Sequence, residues 1–516
     1  MNQRQSRLGF VIAGLLLGIF ISAMDNTVVA TATGSIVAHL GGIDKIVWIT
    51  AAYLVTEMAG MPIFGKLSDM YGRKRFFIFG VVAFLIGSML CGTAQNMDQL
   101  AIYRAIQGIG GGALMPIAFT IIFDVVPREK AGKFSGMFGA VFGLASIFGP
   151  LLGAYITDHI SWRWVFYINV PVGIVTLFLI VLFYHESRQH RKQSIDWFGI
   201  ITLVPAILCL MFGLELGGNK FAWNSAATIV LFCASAVLFL IFLLVERRVK
   251  DPIISFDMFK KRVFAGCNIV GMLSGAAYIV AVIYIPIYIQ GVLGGSATNA
   301  GLELLPMMLG TSIAAPVGGA LANKMPYRNI LFGSGIVFIL GIYLLTTLTV
   351  HSSTWQVMVY MAIVGLGIGP SFSVIGMGAM HHFDERQRGA ASSTNSFVRE
   401  LGMTVGITVF GVIQKDLFSH EVQNQLGNMG KAAKSLAQMD PHAMLQPATR
   451  AHIPAPILTK LSAALSTSVT HALLWDLIPA ILALLFVFWI GNARFQGIRR
   501  STDGAEGEQT KTKPAY

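Results

Sequence analysis

Five carboxylates, Asp25, Glu57, Glu215, Glu303 and Glu400, and two arginines, Arg104 and Arg399, stand inside stretches that are otherwise apolar. Placing an ionised side chain at the centre of a lipid bilayer costs about 2.5–3.5 kcal/mol on insertion scales. A carboxylate escapes that cost by taking up a proton, which is what a proton carrier requires. Asp25 and Glu303 fall in the outer halves of their stretches and Glu57 near the middle of its own. Arg104 stands a few residues from an outer boundary, a functional candidate because a buried cation is costly, with snorkelling to the interface as the alternative. Glu215 reads as interfacial. Arg399 and Glu400 are adjacent, so they do not face one another on a helix, and they read as structural. The four cysteines lack CxxC spacing and the eleven histidines show no ligand-spaced cluster, so neither a metal nor a cofactor is expected.

The elements that must position these residues are membrane spans. The chain of 516 residues is 55% hydrophobic and only 12% charged, about half the charge of a soluble domain. Apolar windows of about 20 residues suggest fourteen spans, among them 8–30, 46–65, 98–123, 134–157, 299–321, 389–413 and 468–491. The first window is too long for a signal h-region and is read as a retained span. With an even number of spans and the N-terminus inside, 27 of the 37 Lys and Arg residues fall in cytoplasmic segments. That asymmetry predicts both termini cytoplasmic in a multi-pass protein. It also explains the net charge of +12 as a topology signal, with no nucleic-acid partner.

Two halves of the chain overlay. Gly65–Arg73 aligns with a run beginning at Gly319, and Gly108, Gly110 and Gly112 align with Gly365, Gly367 and Gly369. Parallel halves about an axis normal to the membrane suit alternating access, with substrate near the midplane. The expected division is 1–190 as a six-helix half, 191–262 as two linker spans and a basic loop, and 263–495 as a second six-helix half. A long extracellular loop, 414–465, interrupts that second half, and 496–516 forms a cytoplasmic tail.

Motifs then support a family resemblance. The loop Gly65-Lys-Leu-Ser-Asp69-Met-Tyr-Gly72-Arg73-Lys-Arg combines a glycine for close helix approach, a glycine for a sharp turn and an acid/base set that can pair. It resembles the signature loop of the major facilitator superfamily. The resemblance implies that Asp69 and Arg73 latch the halves in an outward-facing state, with Asp124 as the partner of Arg73. Arg104 followed by Gln107-Gly108 resembles the superfamily's span-4 motif, whose arginine would assist proton transfer. Gly139, Gly143, Gly149, Pro150 and Gly153 in span 5 resemble the antiporter motif of exporters. With Ser22-Ala-Met-Asp25-Asn-Thr27 in span 1 and Trp162 to Gly173 at span 6, the chain resembles the fourteen-span drug:proton antiporter family over nearly its whole length.

These readings predict an all-α integral membrane protein of the major facilitator fold, acting as a monomer in the plasma membrane and not as an enzyme. It would exchange protons for small hydrophobic, cationic drugs, protonation of an acid competing with binding of the drug. Asp25, Glu57, Glu303 and Arg104 would carry the coupling, with the first and third flanking a central cavity from opposite halves. The rival readings are an exporter of one endogenous lipid, antibiotic or siderophore-like compound, and a membrane enzyme or sensor.

Overall fold

The structure is a computed structural model, and it describes residues 2–41, 45, 47–126, 128–186, 196–217, 221–249, 251–295, 297–384, 387–426 and 453–494. The described residues are helical almost throughout, because a backbone in lipid must satisfy its own hydrogen bonds. In the first half these are α1 (Asn2–Leu40), α2 (Val47–Tyr71), α3 (Arg73–Thr93), α4 (Met97–Val125), α5 (Arg128–His159), α6 (Trp164–Tyr167) and α7 (Asn169–Phe183). Next come α8 (Trp197–Leu216) and α9 (Ala226–Glu246). The last set is α10 (Arg262–Gly291), α11 (Ala297–Leu321), α12 (Tyr327–Thr346), α13 (Thr354–Ala379), α14 (Arg388–Leu426) and α15 (Ala455–Ile490). Among the described residues, thirteen spans are long and apolar enough to cross a membrane, α6 and α7 counting as one. A further helix, α2, is 25 residues long.

The repeat seen in the sequence is realised atom by atom. A Cβ on Gly108 would overlap the carbonyl of Tyr53, and one on Gly365 the carbonyl of Met307. Gly112 and Gly369 stand in the same way against the carbonyls of Glu57 and Thr311, and Gly110 and Gly367 against the amides of Phe84 and Phe338. Each α4 glycine and its α13 counterpart therefore seats the equivalent backbone atom of the preceding helices. Small residues let these backbones approach in a medium where hydrophobicity supplies no force between helices.

The halves meet where α2 packs on α14 and α5 packs on α11. The extra pair, α8 and α9, docks against α2, with Leu203, Ile207 and Phe242 buried against Val55, Met58 and Ala59. Its outer face stays apolar and uncovered at Phe198, Ile201, Val230 and Leu240, as a lipid-facing surface requires.

Two helices run further than expected. α14 continues through 414–426 and α15 resumes at Ala455, so part of the polar excursion is helix. Phe418, Val422 and Leu426 recur every four residues on α14 and are buried with Leu461 and Leu465 of α15. Gln414 Nε2 donates to Ser468 Oγ at 3.1 Å. At 1.5 Å per residue these helices exceed the roughly 30 Å hydrocarbon core, and their ends form a two-helix stalk. Residues 427–452 and 496–516 lie outside the described residues.

Candidate functional site

A buried polar knot joins α1, α2, α4 and α7. Asp25 Oδ2 pairs with Arg104 Nη1. Its Oδ1 accepts from Gln107 Nε2 at 2.8 Å and from Asn169 Nδ2 at 2.9 Å. Arg104 and Gln107 are three apart on α4 and so share a face. Asn169 opens α7 just after the break at Ile168, and its amide also donates to Ser88 Oγ at 3.1 Å. The guanidinium is held further by Ile49 O, 3.0 Å from Nε, and by the Tyr53 ring, 4.3 Å beneath Cζ. The Tyr53 hydroxyl lies 3.2 Å from Ser22 Oγ and 3.5 Å from Glu57 Oε1. Asp25 and Arg104 are each 1% exposed, so Arg104 faces inward and does not snorkel.

The structure thus brings three of the four expected coupling residues, Asp25, Glu57 and Arg104, into one neighbourhood. Glu303 is elsewhere. It is buried on α11 within the second half. Glu215 lies outside the described side chains. Sequence reading passes over Asp476 on α15, which is fully buried with neither carboxylate oxygen partnered. A single acid in the last apolar run was the available signal.

A second cluster ties the halves at the 65–75 end. Asp69 Oδ1 and Oδ2 accept from the amides of Gly389 and Ala390 at 3.1 and 2.9 Å. These are free donors at the first turn of α14, where the helix dipole favours an anion. Arg73 Nη2 donates to the same Asp69 Oδ1 at 3.0 Å, and Nη1 pairs with Asp124. Asp124 also meets Arg388 Nη1 at 3.4 Å, an ion pair across the halves that sequence reading missed. Gly65 is required by close approach, since a Cβ would overlap Ser393 on α14. Gly72 sits at φ 110° between α2 and α3, a region open chiefly to glycine.

With both clusters in view, comparison with known proteins is decisive. The family model of the major facilitator superfamily matches residues 15–407. The chain belongs to the major facilitator superfamily. It is 53% identical over 505 residues to multidrug resistance protein 3 of Bacillus subtilis, covering 97% of this chain and 99% of that protein. It is 34% identical over 531 residues to the multidrug transporter protein MdtP of the same organism, covering 99% and 97%. Among solved structures, the proton:xylose symporter XylE aligns over 96% of this chain and 98% of its own, with a TM-score of 0.61 and 15% identity. That likeness bears on the fold alone, and it agrees with the helical membrane architecture expected from sequence.

Within this superfamily member the span-5 run divides between two partners. Gly139 and Gly143 face α11, where Cβ atoms would overlap Ala315 and Ser312. Gly149 and Gly153 face α1 at Thr27 and Thr31. Pro150 lies inside α5 between these two contacts. One half of α5 therefore binds the opposite domain and the other half its own.

Two small cavities share Phe372 and Arg399 on their walls: one lies within the second half among α10, α13 and α14, and the other lies between the halves, where Met115, Phe119 and Phe142 face Asn395 and Arg399. Neither Asp25, Glu57 nor Glu303 is among their lining residues. The only charged side chain lining them, among the described residues, is Arg399. The expected arrangement of acids flanking a central cavity is therefore not what these two cavities display.

Proposed function

We propose that this protein is a proton-driven antiporter that exports small hydrophobic drugs across the plasma membrane, as a monomer with both termini cytoplasmic. The observation that carries the reading is Asp25 held against Arg104 inside the membrane, with Gln107 and Asn169 completing its shell. An ion pair in low dielectric is sensitive to loss of one charge. Proton uptake by Asp25 removes the anion that holds Arg104 and leaves the guanidinium uncompensated. That penalty favours the alternative state, in which the pair is opened to water and the proton is released on the other side. The knot spans helices whose relative positions must change during alternating access, so protonation biases the transport cycle.

The cluster at Asp69, Arg73, Asp124 and Arg388 closes the end that the basic loops assign to the cytoplasm. This supports an outward-facing state held by the latch. The names of the relatives support drugs as cargo, and lipophilic cations such as ethidium serve as first probes. The test uses purified protein in proteoliposomes. Ethidium moving against its gradient should require an imposed pH gradient and stop with an uncoupler. Asp25→Asn should abolish gradient-driven movement while leaving downhill exchange measurable. Uphill movement by Asp25→Asn at the wild-type rate would refute the coupling assignment.

A further inference from the structure

The two arginines within the spans are held very differently. Arg104 is saturated by a carboxylate, an amide, a carbonyl and an aromatic face. Arg399, on α14, is not. Its nearest carboxylate oxygen, Glu400 Oε1, is 4.0 Å away, outside hydrogen-bond range. Nη2 meets only the Met115 sulfur at 3.6 Å, the Phe372 ring centroid is 5.4 Å from Cζ, and Nε has no partner. Its side chain is 14% exposed, and it lines both the cavity between the halves and the one beside it within the second half. A chain that satisfies one membrane-embedded guanidinium so fully leaves the other aimed into empty volume at the domain interface.

Resting on the exporter reading above, we propose that Arg399 is an anion subsite of the cargo cavity, and that the cavity takes aromatic carboxylates or zwitterions. A planar guanidinium recognises a carboxylate through two parallel hydrogen bonds. Phe372, Phe119, Phe142 and Tyr278 supply flat apolar walls for the rest of such a molecule. Ser371 and Asn395 add polar groups beside them. Glu400 is a competitor in this arrangement: it shares the electrostatic field of Arg399 without binding it, and an incoming carboxylate displaces that influence.

The test measures binding of 1-pyrenecarboxylate, its methyl ester and ethidium to full-length protein in nanodiscs, comparing wild type, Arg399→Gln, Arg399→Lys and Glu400→Gln. Partitioning into lipid cancels when the acid-to-ester affinity ratio is compared between variants. Arg399→Gln should lower that ratio about tenfold, the size of a lost charge-assisted contact. Arg399→Lys should fall between, since a point charge replaces a fork. Glu400→Gln should raise the ratio. A ratio unchanged in both Arg399→Gln and Glu400→Gln overturns the proposal, whether or not either variant is less stable. If proteoliposomes still export ethidium in that case, the exporter reading stands and only the anion subsite falls. If wild type exports none of the three probes, both fall together.

Discussion

At the scale of single residues, the knot around Asp25 makes two predictions. Asp25→Asn keeps the volume and a hydrogen-bonding shell but strands a buried cation, a change worth about 3–5 kcal/mol in other buried pairs. Its thermal unfolding temperature in detergent should fall clearly, and the double variant Asp25→Asn/Arg104→Gln should recover part of the loss, because no charge is then left unpaired. Additive losses in the double variant would mean the two residues do not act as a pair. The second concerns His381, in the turn after α13, whose ring is 3.2 Å from the Tyr327 hydroxyl. Burial, then the neighbouring His382, pushes its pKa down to about 4 from an ordinary value of 6.5. The unfolded chain therefore binds this proton more readily, so the contribution to stability is present above pH 6.5 and is lost as pH falls towards 4. The unfolding temperature of His381→Gln should decline less than that of wild type between those pH values.

Elements carry the next predictions. The stalk formed by α14 and α15 depends on Phe418, Val422 and Leu426 meeting Leu461 and Leu465. Phe418→Asp buries a charge in that seam and should open it, read as faster proteolysis within 427–452, with drug export retained. This seam was only partly legible in sequence. Its repeat of four is present, but the intervening residues are polar enough to lower the average hydropathy below that of a span. Similarly, Gly365→Val should prevent folding, because a side chain there overlaps the Met307 carbonyl of α11. Recovery of normally folded Gly365→Val from the membrane would contradict the close approach of α13 and α11.

Across the whole molecule, Asp69 and Arg388 decide how firmly the two halves hold one another. Asp69 reaches from the first half to the backbone amides at the start of α14, and Arg388, on α14 itself, reaches back to Asp124 of the first half. Asp69→Asn combined with Arg388→Gln should shift the population away from the latched state. In a background free of the native cysteines, a cysteine at Ser393, buried against Gly65, should then react faster with a water-soluble maleimide from the cytoplasmic side. Equal labelling rates with and without the latch substitutions would show that this cluster does not control the opening.

The order of apolar runs, their charge asymmetry and the spaced glycines are local properties, and they determined the helical membrane architecture and its internal repeat. They sufficed because a bilayer admits few backbone solutions and because a glycine needed for helix contact leaves a visible spacing. The motifs also marked Asp25, Arg104, Asp69 and Arg73 individually. Which acid meets which base depends on helices far apart in the chain, and only the tertiary structure decided that. It placed Glu57 beside the Asp25 knot, kept Glu303 within the other half, and brought Arg388 to Asp124. It also turned Arg399 towards the cavities. Adjacent residues on one helix point in different directions, so the nearness of Glu400 in sequence could not reveal that the neighbouring cation is left without a close partner.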